Sequence, residues 1–213
     1  VGHDFAIMYR LSMLDLVDGG SNWEEVERLA QIVEAAGANA INTGIGWHEA
    51  RIPTIATMVP RGGFRFVTKK LMGKVAVPLV TTNRFNNPED CEAALLEGCA
   101  DMISMARPFL ADPHLVKKAR LSRPADINTC IGCNQACLDH VFKQKVASCL
   151  VNPRACHEEV YGMLPRPESG QTPHSRGGLL SSALSGKRIA VLGGGPAGMS
   201  AAVERARHGA EVV

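Results

Sequence analysis

Short apolar runs that alternate with helical segments constrain the fold of this chain more than any other feature. The runs stand at residues 5–9, 38–43, 75–82 and 101–106. Between the first two, Ser21-Asn-Trp-Glu24 predicts a capping box, in which serine and glutamate satisfy each other's free amides. Val26, Leu29, Ala30, Val33 and Ala36 follow at helical spacing, and Gly37 suits a left-handed stop. Asn87-Pro88 and Asp112-Pro113 predict two further helix starts, the second leading into residues 114–120. The connection from the second run to the third is longer and less regular, with Pro53, Pro60, Gly62 and Gly63. Buried strands in alternation with helices make a parallel α/β sheet, whose functional groups stand just past the carboxyl ends of the strands. Arg10, His48, Arg84 and Arg107 are expected at such positions in four consecutive units. Any one of them alone would ordinarily be a surface ion pair. Together they predict a basic rim for an anionic, phosphate-bearing ligand. Four strand–helix units make half of an eight-stranded barrel, and the other half is expected upstream of Val1.

Composition narrows the classes. The 213 residues are 46% hydrophobic and 21% charged, as in ordinary globular chains. A formal charge of +2, with no basic run interleaved with aromatics, argues against a nucleic-acid partner. With no apolar stretch of roughly 18 residues and no charged-then-apolar leader, the expectation is a cytoplasmic protein without a membrane partner.

Seven cysteines in such a chain are not expected to form a disulfide framework, because the compartment is reducing and the count is odd. Cys91 and Cys99 lie in a helical apolar pattern and are expected as small buried hydrophobes. Cys130, Cys133, Cys137 and Cys149 have the spacing C-x2-C-x3-C-x11-C. Three thiolates close together in a loop can cap one metal site, and Cys149 returns to complete it. Zinc and an iron–sulfur cluster both remain open on spacing. Structural zinc favours paired C-x2-4-C knuckles, of which there is one here. The asymmetric set, separated by Gly132, Asn134, Gln135 and Ala136, suits the wider edge of a cubane. Cys156 is a fifth thiol nearby, with no assigned role.

A second change of composition comes at about residue 158. The Pro-, Gly- and Ser-rich stretch 164–178 predicts a linker. Beyond it, a strand over 187–192 leads into Gly193-Gly-Gly-Pro-Ala-Gly198 and a helix over 199–208 stopped by Gly209. Strand before and helix after are the context that a G-x-G-x-x-G dinucleotide loop requires. Gly193 makes the turn, Gly195 lets a pyrophosphate approach, and Gly198 allows close helix–strand packing. The helix N-terminus supplies the anion site, and residues 210–213 begin the next strand. The expected organisation is therefore a half-barrel over 1–122, a cysteine segment over 123–157, a linker over 158–186, and the start of a Rossmann-like domain over 187–213.

In this order, the segments resemble the iron–sulfur flavoproteins whose barrel is similar to that of old yellow enzyme, and among them the NADPH-dependent 2,4-dienoyl-CoA reductases. The likeness runs through Tyr9-Arg-Leu-Ser-Met-Leu14, Asn42-Thr-Gly-Ile-Gly-Trp-His-Glu-Ala-Arg51, Thr81-Thr-Asn-Arg84, Ser104-Met-Ala-Arg-Pro-Phe-Leu-Ala-Asp112, the cysteine loop and Gly193–Gly198. The resemblance implies a TIM-barrel half that binds FMN, with Arg10 at the N1–C2 edge of the flavin and Arg84, Ala106 and Arg107 at its phosphate. It implies 4Fe–4S ligation by Cys130, Cys133, Cys137 and Cys149. FAD is expected at Gly193, Gly195, Pro196, Ala197 and Gly198. His48 is the implied catalytic residue, and His48, Glu49, Ala50 and Arg51 the segment touching an acyl-CoA substrate. The implied route takes a hydride from NADPH to FAD, single electrons through the cluster to FMN, and a hydride to the dienoyl-CoA. The family's catalytic tyrosine and its NADPH region are expected outside this chain, which needs those missing parts to turn over. Reduction of another activated alkene, demethylation of an amine, and a non-catalytic electron-transfer module are the competing readings. His3, His114, His140, His157, His174 and His208 carry no motif and are expected as surface or capping groups.

Overall fold

The computed structural model describes residues 2, 4–47, 50–161 and 184–213. His3, His48, Glu49, His174 and most of the expected linker lie outside them. The chain forms two compact units, Val1–Gly162 and Met163–Val213.

The first unit begins with β1 (Met8–Leu14), α1 (Trp23–Ala35), β2 (Ala40–Ile45), α2 (Arg65–Leu71) and β3 (Leu79–Thr81). It continues with α3 (Pro88–Leu96), β4 (Met102–Ile103), α4 (Arg107–Ala111) and α5 (Leu115–Arg120). The cysteine segment follows in the same unit, with the short α6 (Leu138–Phe142) and α7 (Glu158–Tyr161). The four strands form one sheet in the order β1-β2-β3-β4, every pair parallel, as the alternation of runs and helices requires.

The strand limits differ from expectation, most in β1. The apolar run 5–9 predicts a strand there, but Phe5, Ile7, Met8 and Tyr9 are exposed within this unit. The strand begins only at Met8 and runs on through Arg10-Leu-Ser-Met-Leu14, where period-two alternation places Leu11 and Met13 in the core. Arg10 therefore stands inside β1, paired with Asn42 of β2, and not past the strand's end.

One face of the sheet carries Leu11, Met13, Ile41 and Leu79, packed with Val26, Ala30 and Val33 of α1 and Val67 and Leu71 of α2. A polar seam runs through this layer. The Thr43 hydroxyl donates to the Val80 carbonyl at 3.0 Å and lies 2.8 Å from the Thr68 hydroxyl, which bonds Thr81 at 3.0 Å. All three threonines are buried, so their hydroxyls must satisfy one another. The opposite face carries Arg10, Asn42 and Gly44. The Asn42 amide reaches across β3 to Ser104 at 3.3 Å, and the Arg10 guanidinium lies over Gly44, where an added Cβ would stand 3.4 Å from Nε.

Helix α1 starts one residue later than the expected box. Asn22 is the N-cap: its side chain accepts from the Glu25 amide at 3.0 Å, and the Glu25 carboxylate accepts from the Asn22 amide at 2.9 Å. Ser21 is diverted, its amide donating to the buried Asp15 carboxylate at 2.8 Å. Asn87 caps α3 as expected, with Pro88 at the first helical position. Asp112 does not start α5. It ends α4, and its carboxylate is used elsewhere.

In the second unit, β5 (Arg188–Ile189), α8 (Pro196–Arg207) and β6 (Glu211–Val212) form a β-α-β unit with parallel strands. Gly209, at φ +87, follows the helix end. Residues 158–161, expected as linker, are the helix α7 of the first unit. No helix among the described residues is long and apolar enough to cross a membrane.

The cap register is testable. Asn22→Ala should lower the stability of the first unit by about 1 kcal/mol, whereas Glu24→Ala should stay within about 0.5 kcal/mol of wild type. Urea unfolding of the whole protein reads both, and equal losses would restore the Ser21–Glu24 register.

Candidate functional site: an arginine rim capped by a cysteine loop

Parallel strands end on the same side, so the segments after β2, β3 and β4 converge there. Asn83 and Arg84, immediately beyond β3, hold φ +68 and φ +63. Two consecutive non-glycine residues in the left-handed region are strained, and the surroundings must fix them. They do: the Asn83 amide donates to the Thr54 carbonyl at 3.2 Å, Arg84 Nε donates to the Val59 carbonyl at 2.9 Å, and the Gly62 amide donates back to the Arg84 carbonyl at 3.3 Å. Arg84 is 9% exposed. Burial lowers its guanidinium pKa, the neighbouring Arg107 and Arg61 add to the lowering, and Cys130 opposes it.

Arg107 opens α4 with Ala106 as its N-cap. It bridges two loops, one guanidinium nitrogen donating to the Asn134 side-chain oxygen and the other to the Ile55 carbonyl at 2.7 Å. The cysteine loop is thereby seated on the rim. Further ties are Asn86 to the Cys130 carbonyl at 2.7 Å and Thr57 to the Ile131 carbonyl at 2.8 Å. Gly132, at φ +68, is packed so closely that an added Cβ would stand 2.7 Å from an Arg84 guanidinium nitrogen.

Cys130, Cys133, Cys137 and Cys149 line one open hollow, together with Arg107, Asn134 and apolar side chains. Cys149 is brought to it by a tight turn in which the Asn152 amide donates to the Cys149 carbonyl at 3.2 Å, while the Asn152 side chain holds the Leu110 carbonyl at 2.8 Å. Burial pushes the Cys149 thiol pKa up. The Val151 and Asn152 amides act against that, and Cys130 and Cys137 add to it. The thiols are thus near enough to act on one another. Among the described residues, no three Cys, His, Asp or Glu side chains converge on a point that one ion could occupy. Four cysteine thiolates can serve a tetrahedral zinc or an iron–sulfur cluster. An all-cysteine donor set fits iron and sulfide. Cys91, whose thiol burial pushes up to about 11, and the buried Cys99 pack away from this cavity around α3.

The other expected site residues are placed as follows. Arg10 lies on the sheet face opposite the core. The Ala50 amide donates to the Trp47 carbonyl at 3.1 Å, and Arg51 is exposed. In the second unit, an added Cβ at Gly195 would meet nothing within 4 Å, which leaves open space before the α8 N-terminus. At Gly198 a Cβ would overlap the Gly193 carbonyl, and Gly193 holds φ +115. Gly193 thus turns the chain and Gly198 packs against that turn, while Pro196 and Ala197 open the helix.

The sequence reading passed over Asn134, Asn86 and Asp112. For Asn134, its place between two cysteines was the available signal. Asp112 is buried, accepts from Lys118, and takes the Asn128 and His114 amides at 2.9 and 3.0 Å. Lys118 also donates to the Asp126 carbonyl at 2.8 Å. This pair fixes where the chain enters the cysteine loop.

Four parallel strands joined by crossover helices, with the arginine rim at one end, have the order of half an α/β barrel. Residues 1–126 match the NADH:flavin oxidoreductase / NADH oxidase family, and the chain belongs to it. It is similar to the metal reductase of Desulforamulus reducens, with 38% identity over 212 residues covering 100% of this chain and 29% of the relative. Similarity to the NADH oxidase of Thermoanaerobacter brockii is 33% over 216 residues, covering 100% and 31%. The structure of 2-naphthoyl-CoA reductase in complex with 2-naphthoyl-CoA superposes with a TM-score of 0.82 at 32% identity, over 94% of this chain and 28% of that one. The chain thus spans under a third of the proteins it matches.

The Asp112 carboxyl gives a signed pH prediction. Burial by itself would raise its pKa, but the Lys118 ammonium and the Asn128 and His114 amides outweigh it and hold the pKa below the usual range. Its stabilisation is complete above the unfolded value of about 3.9 and is lost as pH falls through the folded value. Asp112→Asn should cost about 3 kcal/mol at neutral pH by stranding Lys118 and should flatten the acid limb. Thermal unfolding across pH reads both effects.

Proposed function

We propose that the whole protein reduces an alkene conjugated to an acyl-CoA thioester, a 2,4-dienoyl-CoA in particular, with NADPH as electron source. This chain supplies the FMN phosphate site, the 4Fe–4S ligands and the FAD pyrophosphate loop. The observation that carries the reading is the seating of a four-thiol cavity on the arginine rim of a flavin-family sheet. An electron carrier held there lies beside any ligand that the rim binds. The likeness to an acyl-CoA reductase, and the cinnamate reductase of Clostridium sporogenes at 29% identity over 226 residues, favour a conjugated carbonyl substrate.

When bound, FMN supplies hydride to the alkene, FAD accepts hydride from NADPH, and a cluster exchanges the single electrons between them. The chain's own residues set the charge and the geometry. Arg10, lying over Gly44, would place a permanent cation on the face opposite the core, where it would stabilise the negative charge of a reduced flavin. Arg84 and Arg107 present guanidinium donors to a phosphate. The Gly195 approach and the α8 N-terminus present backbone amides to a pyrophosphate. Within the family resemblance, His48 stands near the thioester and helps protonation, and Glu49, Ala50 and Arg51 extend the substrate-contacting segment.

Iron and acid-labile sulfide in the whole protein should each approach four per chain with zinc absent, and Cys149→Ser should deplete both. With NADPH, a panel of a dienoyl-CoA, a simple enone and a methylated amine should show fastest turnover of the dienoyl-CoA. Flavins that are rapidly reduced but not reoxidised by any dienoyl-CoA would refute the substrate assignment. His48→Ala should lower turnover at least tenfold while FMN content stays intact.

A further inference from the structure

Three hydrogen bonds and one close approach place Arg84 and Arg107 between the segment 54–62 and the cysteine loop. Arg107 gives one guanidinium nitrogen to Ile55 and the other to Asn134. Arg84 gives Nε to Val59, and the end of its guanidinium lies against Gly132. A guanidinium has five N–H donors in a rigid fork, so one or two carbonyl contacts fix its plane and leave several donors for an anion. Neither arginine forms a direct ion pair among the described residues, and the cations that act on Arg84 are Arg107 and Arg61. Gly132 and Asn134 stand between Cys130 and Cys137, so any molecule filling the cysteine cavity sets the backbone that carries both contacts.

We infer that Asn134 and Gly132 are positioning residues for a flavin phosphate, so that holding the phosphate and filling the cysteine cavity are energetically coupled. The inference rests on the reading of Arg84 and Arg107 as the phosphate site. Coupling of this kind is reciprocal: a filled cavity tightens phosphate binding, and bound phosphate retains the cavity's contents by the same factor. Asn134 is the more direct lever, because it holds Arg107 with a charge-assisted hydrogen bond. Gly132 acts by exclusion, since any side chain there would push the Arg84 guanidinium off the rim.

The test uses the whole protein stripped of FMN and titrated separately with FMN and riboflavin, which lacks the phosphate, with iron and sulfide assayed on the same samples. Asn134→Ala should weaken FMN on the order of tenfold and leave riboflavin and iron content unchanged. Asn134→Asp guards against loss of the loop. It keeps the size and the acceptor but sets a negative charge beside Arg107, so it too should weaken FMN and spare riboflavin. Arg107→Ala tests the underlying reading. A changed FMN-to-riboflavin ratio in Arg107→Ala with a wild-type ratio in both Asn134 variants overturns the inference and leaves the phosphate site standing. A wild-type ratio in Arg107→Ala as well overturns both. In wild type, a chelator should extract iron more slowly from the FMN-bound than from the riboflavin-bound protein, and equal rates would defeat the coupling.

Discussion

Parallel strands must all leave the sheet at the same end, and everything functional in the first unit follows from that constraint. Each crossover helix returns the chain to the far edge, so the segments after β2, β3 and β4 crowd together without any long-range design. The crowding brings the carbonyls of Ile55 and Val59 to two arginines that lie distant in sequence. It also makes a platform broad enough to seat the cysteine loop.

The electrostatics of that platform are unusual because its charges gather with few counter-charges. Arg84 is buried near Arg107 and Arg61, and the neighbour that eases its positive charge is a thiol, Cys130. Gathering like charges destabilises a protein unless an anion resides among them, and strain at Asn83 and Arg84 adds to that cost. Sites of this kind are held open by the rest of the fold, here by the Asp112–Lys118 pair at the loop's entry and by carbonyl contacts from the segment 54–62.

Much of this was legible in the sequence. The strand–helix alternation, the parallel sheet, the Asn87-Pro88 cap and the glycine loop each rest on local patterns that tertiary packing does not override. The four thiols that the spacing groups together line one hollow. Strand β1 was misplaced because a run of apolar residues is a weaker cue than alternation, and the run at 5–9 faces outward within this unit. The α1 cap slipped by one residue because Asp15, six residues away, competes for the Ser21 amide. The partners of Asn134 and Asp112 were not legible, since they stand 27 and 16 residues away in the chain.

The threonine seam in the core has a consequence beyond packing. Apolar layers tolerate sliding, because a leucine fits several neighbouring hollows almost equally well, whereas a hydroxyl bonded to two others has one place to sit. Thr68 therefore indexes α2 against β2 and β3. The segment ending at α2 is the one whose carbonyls catch the two arginines, so the seam works as a gauge, setting the height of the rim from a point buried well below it.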